Sequence, residues 1–184
     1  MGESELSLFS FFNPEFFMSN PIALLVQQLS LKLMAKNLML STAESCTGGL
    51  IAAACTDLAG SSQWFERGFV TYSNASKVEL LGVEPTMVAL KGAVSQEVAR
   101  AMALGALTHS KAQVSLSVTG VAGPTGGSVD KPVGCVWFAW SLQLGEEPNQ
   151  PHVTSERMDF VGTRQEVRAQ TVEHSLKRLL ELLN

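Results

Sequence analysis

Leu38-Met39-Leu40-Ser41-Thr42-Ala43-Glu44-Ser45-Cys46-Thr47-Gly48-Gly49-Leu50-Ile51-Ala52-Ala53-Ala54 is the stretch whose reading decides the fold. An apolar run able to form a buried strand ends in small polar residues and passes into an alanine-rich segment of helical character. Ser45, Cys46 and Thr47 are thereby expected where a strand gives way to a helix N-terminus. There the first backbone N–H groups lack partners and the helix dipole favours negative charge. Two readings stand. A hydroxyl or thiol at such a point can act as a nucleophile, with those N–H groups receiving the oxyanion it generates. Alternatively, Ser45 or Thr47 caps the helix and the glycines permit close packing.

Upstream, Asn20-Pro21 combines a capping side chain with proline at the first helical position. Ile22, Leu25, Val26, Leu29, Leu33 and Met34 then recur at helical spacing as far as Asn37. Downstream, the alanine-rich helix runs to about Leu58 and a turn follows over 59–62. Residues 64–72 read as a strand, and Ser73-Asn74-Ala75-Ser76 breaks it before a short helix carrying Lys77, Leu80 and Leu81. Glu84-Pro85 opens another short helix ending near Gly92. Ser95 caps the next, with Val98, Met102 and Leu107 among its apolar positions, ending near His109. Residues 114–118 form a strand that runs into the glycine-rich loop 119–128, where few side chains obstruct the approach of an anion or a flat ring to the backbone. A long strand over 134–144, a loop over 145–151 and a strand over 153–160 follow. Thr163-Arg164-Gln165-Glu166 is a capping box that opens a last helix to about Leu183. Alternating helices and buried apolar strands indicate an α/β layered domain over residues 20–184. No internal repeat or linker divides it.

The chain has 184 residues, enough for one domain with a sizeable core. Charged residues make up only 16% of it, well below the roughly 25% usual in soluble domains, which favours surface covered by subunit contacts, a homodimer or larger, or by a deep site. A net charge of −4 argues against non-specific nucleic-acid binding, which needs basic patches. Cys46, Cys55 and Cys135 form no CxxC pair, and with no credible signal peptide they read as free thiols in a reducing cytoplasm. His109, His152 and His174 lack ligand spacing, so no structural metal is expected. No apolar run approaches the roughly 18 residues of a membrane span.

Residues 1–19 stand apart, holding five of the nine phenylalanines (Phe9, Phe11, Phe12, Phe16 and Phe17). Without a basic start, and broken by Asn13-Pro14-Glu15, they make a poor secretory signal. Three readings stand: a mobile arm, sequence upstream of a true start at Met18, or aromatics that pack on a neighbouring subunit.

Three polar loops, 44–49, 72–77 and 119–128, are placed to meet at strand ends, with Arg164 at the start of the last helix. Each alone is weak. The glycine loop is neither GxGxxG nor GxxxxGK[ST], and Ser45 sits in neither GxSxG nor SxxK, so a serine here needs a base from elsewhere. The combination is distinctive. Ala43-Glu44-Ser45-Cys46-Thr47-Gly48-Gly49, Thr71-Tyr72-Ser73-Asn74 with Lys77, and Ser117-Val118-Thr119-Gly120-Val121-Ala122-Gly123-Pro124 with Gly126-Gly127 occur in order. Lys131-Pro132-Val133-Gly134, Val136-Trp137 and Gly162-Thr163-Arg164 follow. Together they closely resemble the nicotinamide-nucleotide amidase family, also known as the C-terminal domain of the competence/damage-inducible protein CinA. The resemblance covers roughly residues 21–183 without large gaps, and it is to the stand-alone form, since a second N-terminal domain has no room here.

The resemblance implies a single-domain, three-layer α/β/α sandwich around a mixed central sheet. It also implies hydrolysis of the carboxamide of nicotinamide mononucleotide to nicotinate mononucleotide and ammonia, without cofactor or metal. Carried across position by position, Ser45 is the nucleophile and Lys77 its general base. Cys46, Thr47 and Gly48 surround the oxyanion. Tyr72 lines the site beside Asn74, by a hydrogen bond or with its ring against the pyridinium. Thr119, Gly120, Gly123, Gly126 and Gly127 contact the ribose phosphate, with Arg164 as charge partner.

For Lys77 to accept a proton, burial or a neighbouring cation such as Arg164 must lower its pKa from near 10.4. Other readings of these residues remain open. Lys77 can be a solvated lysine, Arg164 a surface residue of a first turn, and Cys46 a rival nucleophile at a helix N-terminus. Glu44 either faces the cationic ring or sits at the helix start. Against the enzyme stands a binding module of the same fold that holds a nucleotide or a partner protein with Ser45 as a mere cap.

Overall fold

The computed structural model describes residues 20–144 and 150–184; the expected N-terminal arm and most of the expected 145–151 loop lie outside them. Asn20 begins the described chain as predicted, its Oδ1 accepting from the N–H groups of Ile22 (3.1 Å) and Ala23 (3.3 Å) to start α1 (Pro21–Ala35). Next come β1 (Leu40–Glu44), α2 (Leu50–Thr56), β2 (Phe65–Val70), α3 (Asn74–Leu81), α4 (Pro85–Lys91) and α5 (Gln96–Thr108). The series ends with β3 (Val114–Gly120), β4 (Cys135–Leu142), β5 (His152–Asp159) and α6 (Arg164–Leu182). Each element expected from periodicity and capping is present, within a few residues of its expected ends.

The five strands lie in the order β2-β1-β3-β4-β5. β1 is parallel to both its neighbours, whereas β3–β4 and β4–β5 are antiparallel, so the sheet is mixed. Strand alternation sorts the side chains to two faces. Leu40, Val114, Leu116, Val118, Val136, Phe138 and Trp140 pack against α1, α2 and α6 in the larger core. Trp140 donates its indole N–H to Ser175 O on α6 (3.1 Å). The opposite face carries small residues, and α3, α4 and α5 cover it, with Leu81, Val88, Val98, Met102 and Ala106 clustering with Val83 and with Ala43 of β1. The result is a three-layer α/β/α sandwich.

The second face owes its close packing to hydroxyls. Ser41, Ser115 and Ser117 are buried and donate to the α5 carbonyls of Ala106 (3.3 Å), Ala103 (2.7 Å) and Ala99 (2.6 Å). Each hydroxyl thus enters the interior with an acceptor in place. Thr119 continues the row to Ala93 O (2.9 Å), in the turn between α4 and α5. Among the described residues no helix is long and apolar enough to cross a membrane.

Candidate active site

The C-terminal ends of the parallel strands β1 and β3, the β2–α3 junction and the start of α6 converge on a hollow of about 240 Å³. Its walls include Ser45, Cys46, Tyr72, Asn74, Lys77, Thr119, Gly120 and Arg164. Eight of the residues singled out from sequence therefore meet in one place. A larger groove, of about 520 Å³, runs between the starts of α1 and α6, but its lining contains no nucleophile and base.

Strand parity explains how Ser45 enters the hollow. Leu40 and Glu44 face the α2 side of the sheet, Ser41 and Ala43 the α5 side, and Ser45 follows the second set. Its backbone N–H donates to Val118 O at 3.0 Å, which prolongs the β1–β3 pairing by one residue. Lys77 arrives from α3, whose start is fixed by a capping box between Ser73 and Ser76. The Lys77 side chain is 1% exposed, and its Nζ lies 3.0 Å from Ser45 Oγ and 2.7 Å from Thr71 O, to which it donates. Among the described residues no carboxylate forms an ion pair with it.

Burial lowers the Lys77 pKa to about 8, with Cys46 opposing the shift. Burial is thus the sufficient cause, and Arg164 is not needed for it. Its guanidinium donates elsewhere, from Nη1 to Gly123 O (2.9 Å) and from Nη2 to Tyr72 Oη (3.1 Å). Near neutral pH an appreciable fraction of Lys77 is an amine that can accept the Ser45 proton.

Cys46 behaves oppositely to the expectation for a thiol at a helix start. Burial pushes its pKa up to about 12; the Cys46 backbone N–H opposes the rise, the Glu44 carboxylate adds to it, and Lys77 and the Thr47 N–H oppose it more weakly. A thiol held in that form is a poor nucleophile at neutral pH.

The approach to α2 also differs from the expected one. The helix begins at Leu50, so Ser45–Thr47 occupy a turn before it, and Gly48 (φ 62°) and Gly49 (φ 98°) adopt left-handed backbone that favours glycine. The N–H groups of Gly49, Ile51 and Ala52 at the mouth of α2 are already taken. Glu44, fully buried, accepts from Gly49 N (3.0 Å), Ile51 N (3.0 Å), Ala52 N (2.8 Å), Thr47 Oγ1 (2.7 Å) and Thr42 Oγ1 (3.4 Å). Of its two readings, the place at the helix start is the one the structure adopts. Gly48 N is also used, on Ser45 O (3.1 Å). The N–H groups of Cys46 and Thr47 have only the Cys46 sulfur as acceptor among the described residues.

Thr47 and the remaining glycines are not among the lining residues. The Thr47 hydroxyl points to Glu44, and its carbonyl accepts from Arg168 Nη2 (2.6 Å). Gly48 is exposed near the same guanidinium. Gly123 packs on Val133, Gly127 against Lys131–Val133 backbone, and Gly126 has open space around it. Sequence reading missed three small wall residues, Ala93, Val94 and Ala122, which carry no chemical signal. It also missed Arg168, although a position four residues after Arg164 on a helix shares its face.

Comparison with known proteins shows what the chain resembles. The family model for the CinA C-terminal domain matches residues 23–183. The chain is 50% identical over 163 residues to the nicotinamide-nucleotide amidohydrolase PncC of Pseudomonas putida, covering 89% of this chain and 98% of that protein. It is likewise 50% identical over 153 residues to the PncC of Enterobacter agglomerans, covering 83% of this chain and 90% of that one. Among solved structures, the competence/damage inducible protein CihA from Agrobacterium tumefaciens superposes with a TM-score of 0.84 at 42% identity, covering 90% of this chain and 97% of that one.

Proposed function

The chain belongs to the CinA C-terminal domain family, and from that membership we propose that it hydrolyses the carboxamide of nicotinamide mononucleotide to nicotinate mononucleotide and ammonia. The observation that carries the reading is the buried Lys77 Nζ set 3.0 Å from Ser45 Oγ in a hollow at the strand ends. The relatives named for this activity lend the substrate.

In the proposed reaction Ser45 Oγ attacks the carboxamide carbon while neutral Lys77 takes the hydroxyl proton. The oxyanion forms beside the N–H groups of Cys46 and Thr47, whose preorganised dipoles favour it. Lys77 returns the proton to the amide nitrogen, ammonia leaves, and an ester joins the nicotinoyl carbon to Ser45. Water then attacks this ester with Lys77 again as base, and nicotinate mononucleotide departs as the serine proton is restored. Thr71 O keeps one hydrogen of the amine engaged throughout, which aims its lone pair at Ser45. Tyr72 and Asn74 border the ring, and Arg164, with Thr119 and Gly120, faces the ribose phosphate. A positive pyridinium beside Lys77 further disfavours the ammonium, so the base is strongest with substrate bound.

The test is ammonia release from nicotinamide mononucleotide by the native chain and by Ser45→Ala and Lys77→Ala variants. Turnover by the native chain and a loss on the order of 10³-fold or more in each variant is expected. A native chain that binds the nucleotide without releasing ammonia is a binding module instead. Variants that turn over like the native chain remove the Ser45–Lys77 pair from the mechanism.

A further inference from the structure

The carboxylate of Glu44 has no place in the reaction just described, yet it is the most heavily hydrogen-bonded side chain near the hollow. It is fully buried and takes five donors: three backbone N–H groups at the mouth of α2 and the hydroxyls of Thr42 and Thr47. A helix cap ordinarily satisfies one or two N–H groups. Here one carboxylate binds both the helix and the turn that joins it to Ser45, and the left-handed Gly48 and Gly49 let that turn fold back over it. The same segment is held from outside by Arg168 Nη2 on Thr47 O and by Ser45 N on Val118 O.

We propose that Glu44 is a positioning residue for the hydrolysis, clamping the 45–49 turn so that Ser45 Oγ stays in line with Lys77 and the Cys46 and Thr47 N–H groups, whose one acceptor is the Cys46 sulfur, stay within reach of the oxyanion. By parity Glu44 projects from β1 to the face opposite Ser45, so it acts on the reaction through the backbone of the turn and not by touching substrate. It also occupies the positive end of α2. The oxyanion is therefore received by the turn and not by the helix. Glu44→Gln replaces one acceptor oxygen by an NH₂ group facing donors, so either the turn or the helix mouth loses its hold. A displacement of about 1 Å at a reacting atom is enough to cost on the order of 10²-fold in rate.

This proposal rests on Ser45 being the nucleophile, so the test reads Ser45 without the substrate as well as with it. The full chain is treated with a fluorophosphonate, whose phosphorus bonds to Ser45 Oγ as fluoride leaves and Lys77 takes the proton. Mass spectrometry of the Ser45 peptide gives the rate of labelling. Native chain, Glu44→Gln and Thr47→Val are compared, with ammonia release and its pH profile measured alongside. For Glu44→Gln we expect labelling and kcat both reduced about 10²-fold, KM within about twofold and an unmoved pH midpoint.

A folded Glu44→Gln chain labelled at the native rate overturns the proposal, as does a raised KM with unchanged kcat, which places Glu44 on the substrate. A moved pH midpoint also overturns it, because Glu44 then acts on the charge of Lys77. Should Glu44→Gln fail to fold, Thr47→Val decides: labelling about tenfold slower supports the clamp, and native labelling refutes it. A native chain that takes no label at Ser45 overturns the nucleophile assignment and this proposal with it. A native chain labelled at Ser45 that releases no ammonia overturns only the proposed substrate.

Discussion

At Lys77 the fold buries a side chain that is a cation in water, leaving only 1% of it exposed. Burial lowers its pKa from 10.5 to about 8, so folding disfavours its charged form. Two consequences follow, with opposite signs for activity and stability. As a general base the lysine works only when neutral. kcat/KM is therefore expected to rise about tenfold per pH unit below 8 and level off above it, and a profile flat from pH 6 to 9 removes Lys77 as the base. For stability, the unfolded chain holds the Lys77 proton over the window between about 8 and 10.5 where the folded chain does not. Stability thus climbs with pH through that window, and below 8 a constant penalty of roughly 3 kcal/mol remains. Lys77→Met removes that penalty but orphans the Thr71 carbonyl, at a cost of about 1 kcal/mol. The variant should be inactive yet unfold at a higher temperature than the native chain at pH 7, with the gap closing above pH 10. A lower midpoint at pH 7 contradicts this. Cys46 supplies the matching control: Cys46→Ser is expected to keep most of the activity that Ser45→Ala loses, because the thiol is held protonated by its burial.

Elements were legible wherever a local rule operates. Asn20-Pro21, Ser95 and the Thr163–Glu166 box mark helix starts that the structure keeps, and the break expected over 73–76 proves to be the first turn of α3 with Ser73 as its cap. What local rules miss is the environment a face meets. The alternation of Val114 to Val118 looks like a strand with one wet face, yet its serines are buried against α5 carbonyls. Parity along β1 likewise puts Ser45 and Glu44 on opposite faces, which separates the proposed nucleophile from the proposed clamp. Family resemblance alone left both near the substrate. Close approach of α5 to its neighbours also requires glycine at one point: a Cβ on Gly105 would lie 2.1 Å from Leu81 O, at the last turn of the helix that carries Lys77. Gly105→Ala must push α3 outward, so we expect a loss of about 1–3 kcal/mol in stability. The fall in kcat should exceed what the unfolded fraction explains. Native stability and native kcat in this variant would show that the α3–α5 contact does not set the position of Lys77.

On the scale of the molecule, the hollow is assembled from segments more than a hundred residues apart, and Arg164 is the piece that ties them. It stands at the first position of α6, donates to Gly123 O after β3 and to Tyr72 Oη after β2, and lines the hollow with the side chain that spans both. Topology brings these loops together because β1 and β3 run parallel and end at the same edge of the sheet. Sequence order gives no hint of which loop atoms touch; the motifs named the participants, and the carbonyl partners of Lys77 and Arg164 left no trace in residue type. In the proposed reaction Arg164 faces the phosphate of the nucleotide, and loss of a charge-assisted hydrogen bond costs about 1.5–3 kcal/mol. Arg164→Ala should therefore raise KM for nicotinamide mononucleotide by roughly ten- to a hundredfold. Nicotinamide riboside has the same ring and amide without the phosphate. Its kcat/KM, expected to be low in the native chain, should be little changed by the substitution, so that the preference for the phosphorylated substrate narrows by the same factor. Equal losses on both substrates would instead mean that Arg164 serves by holding Gly123 and Tyr72 in place, and the phosphate contact would have to be sought elsewhere in the hollow.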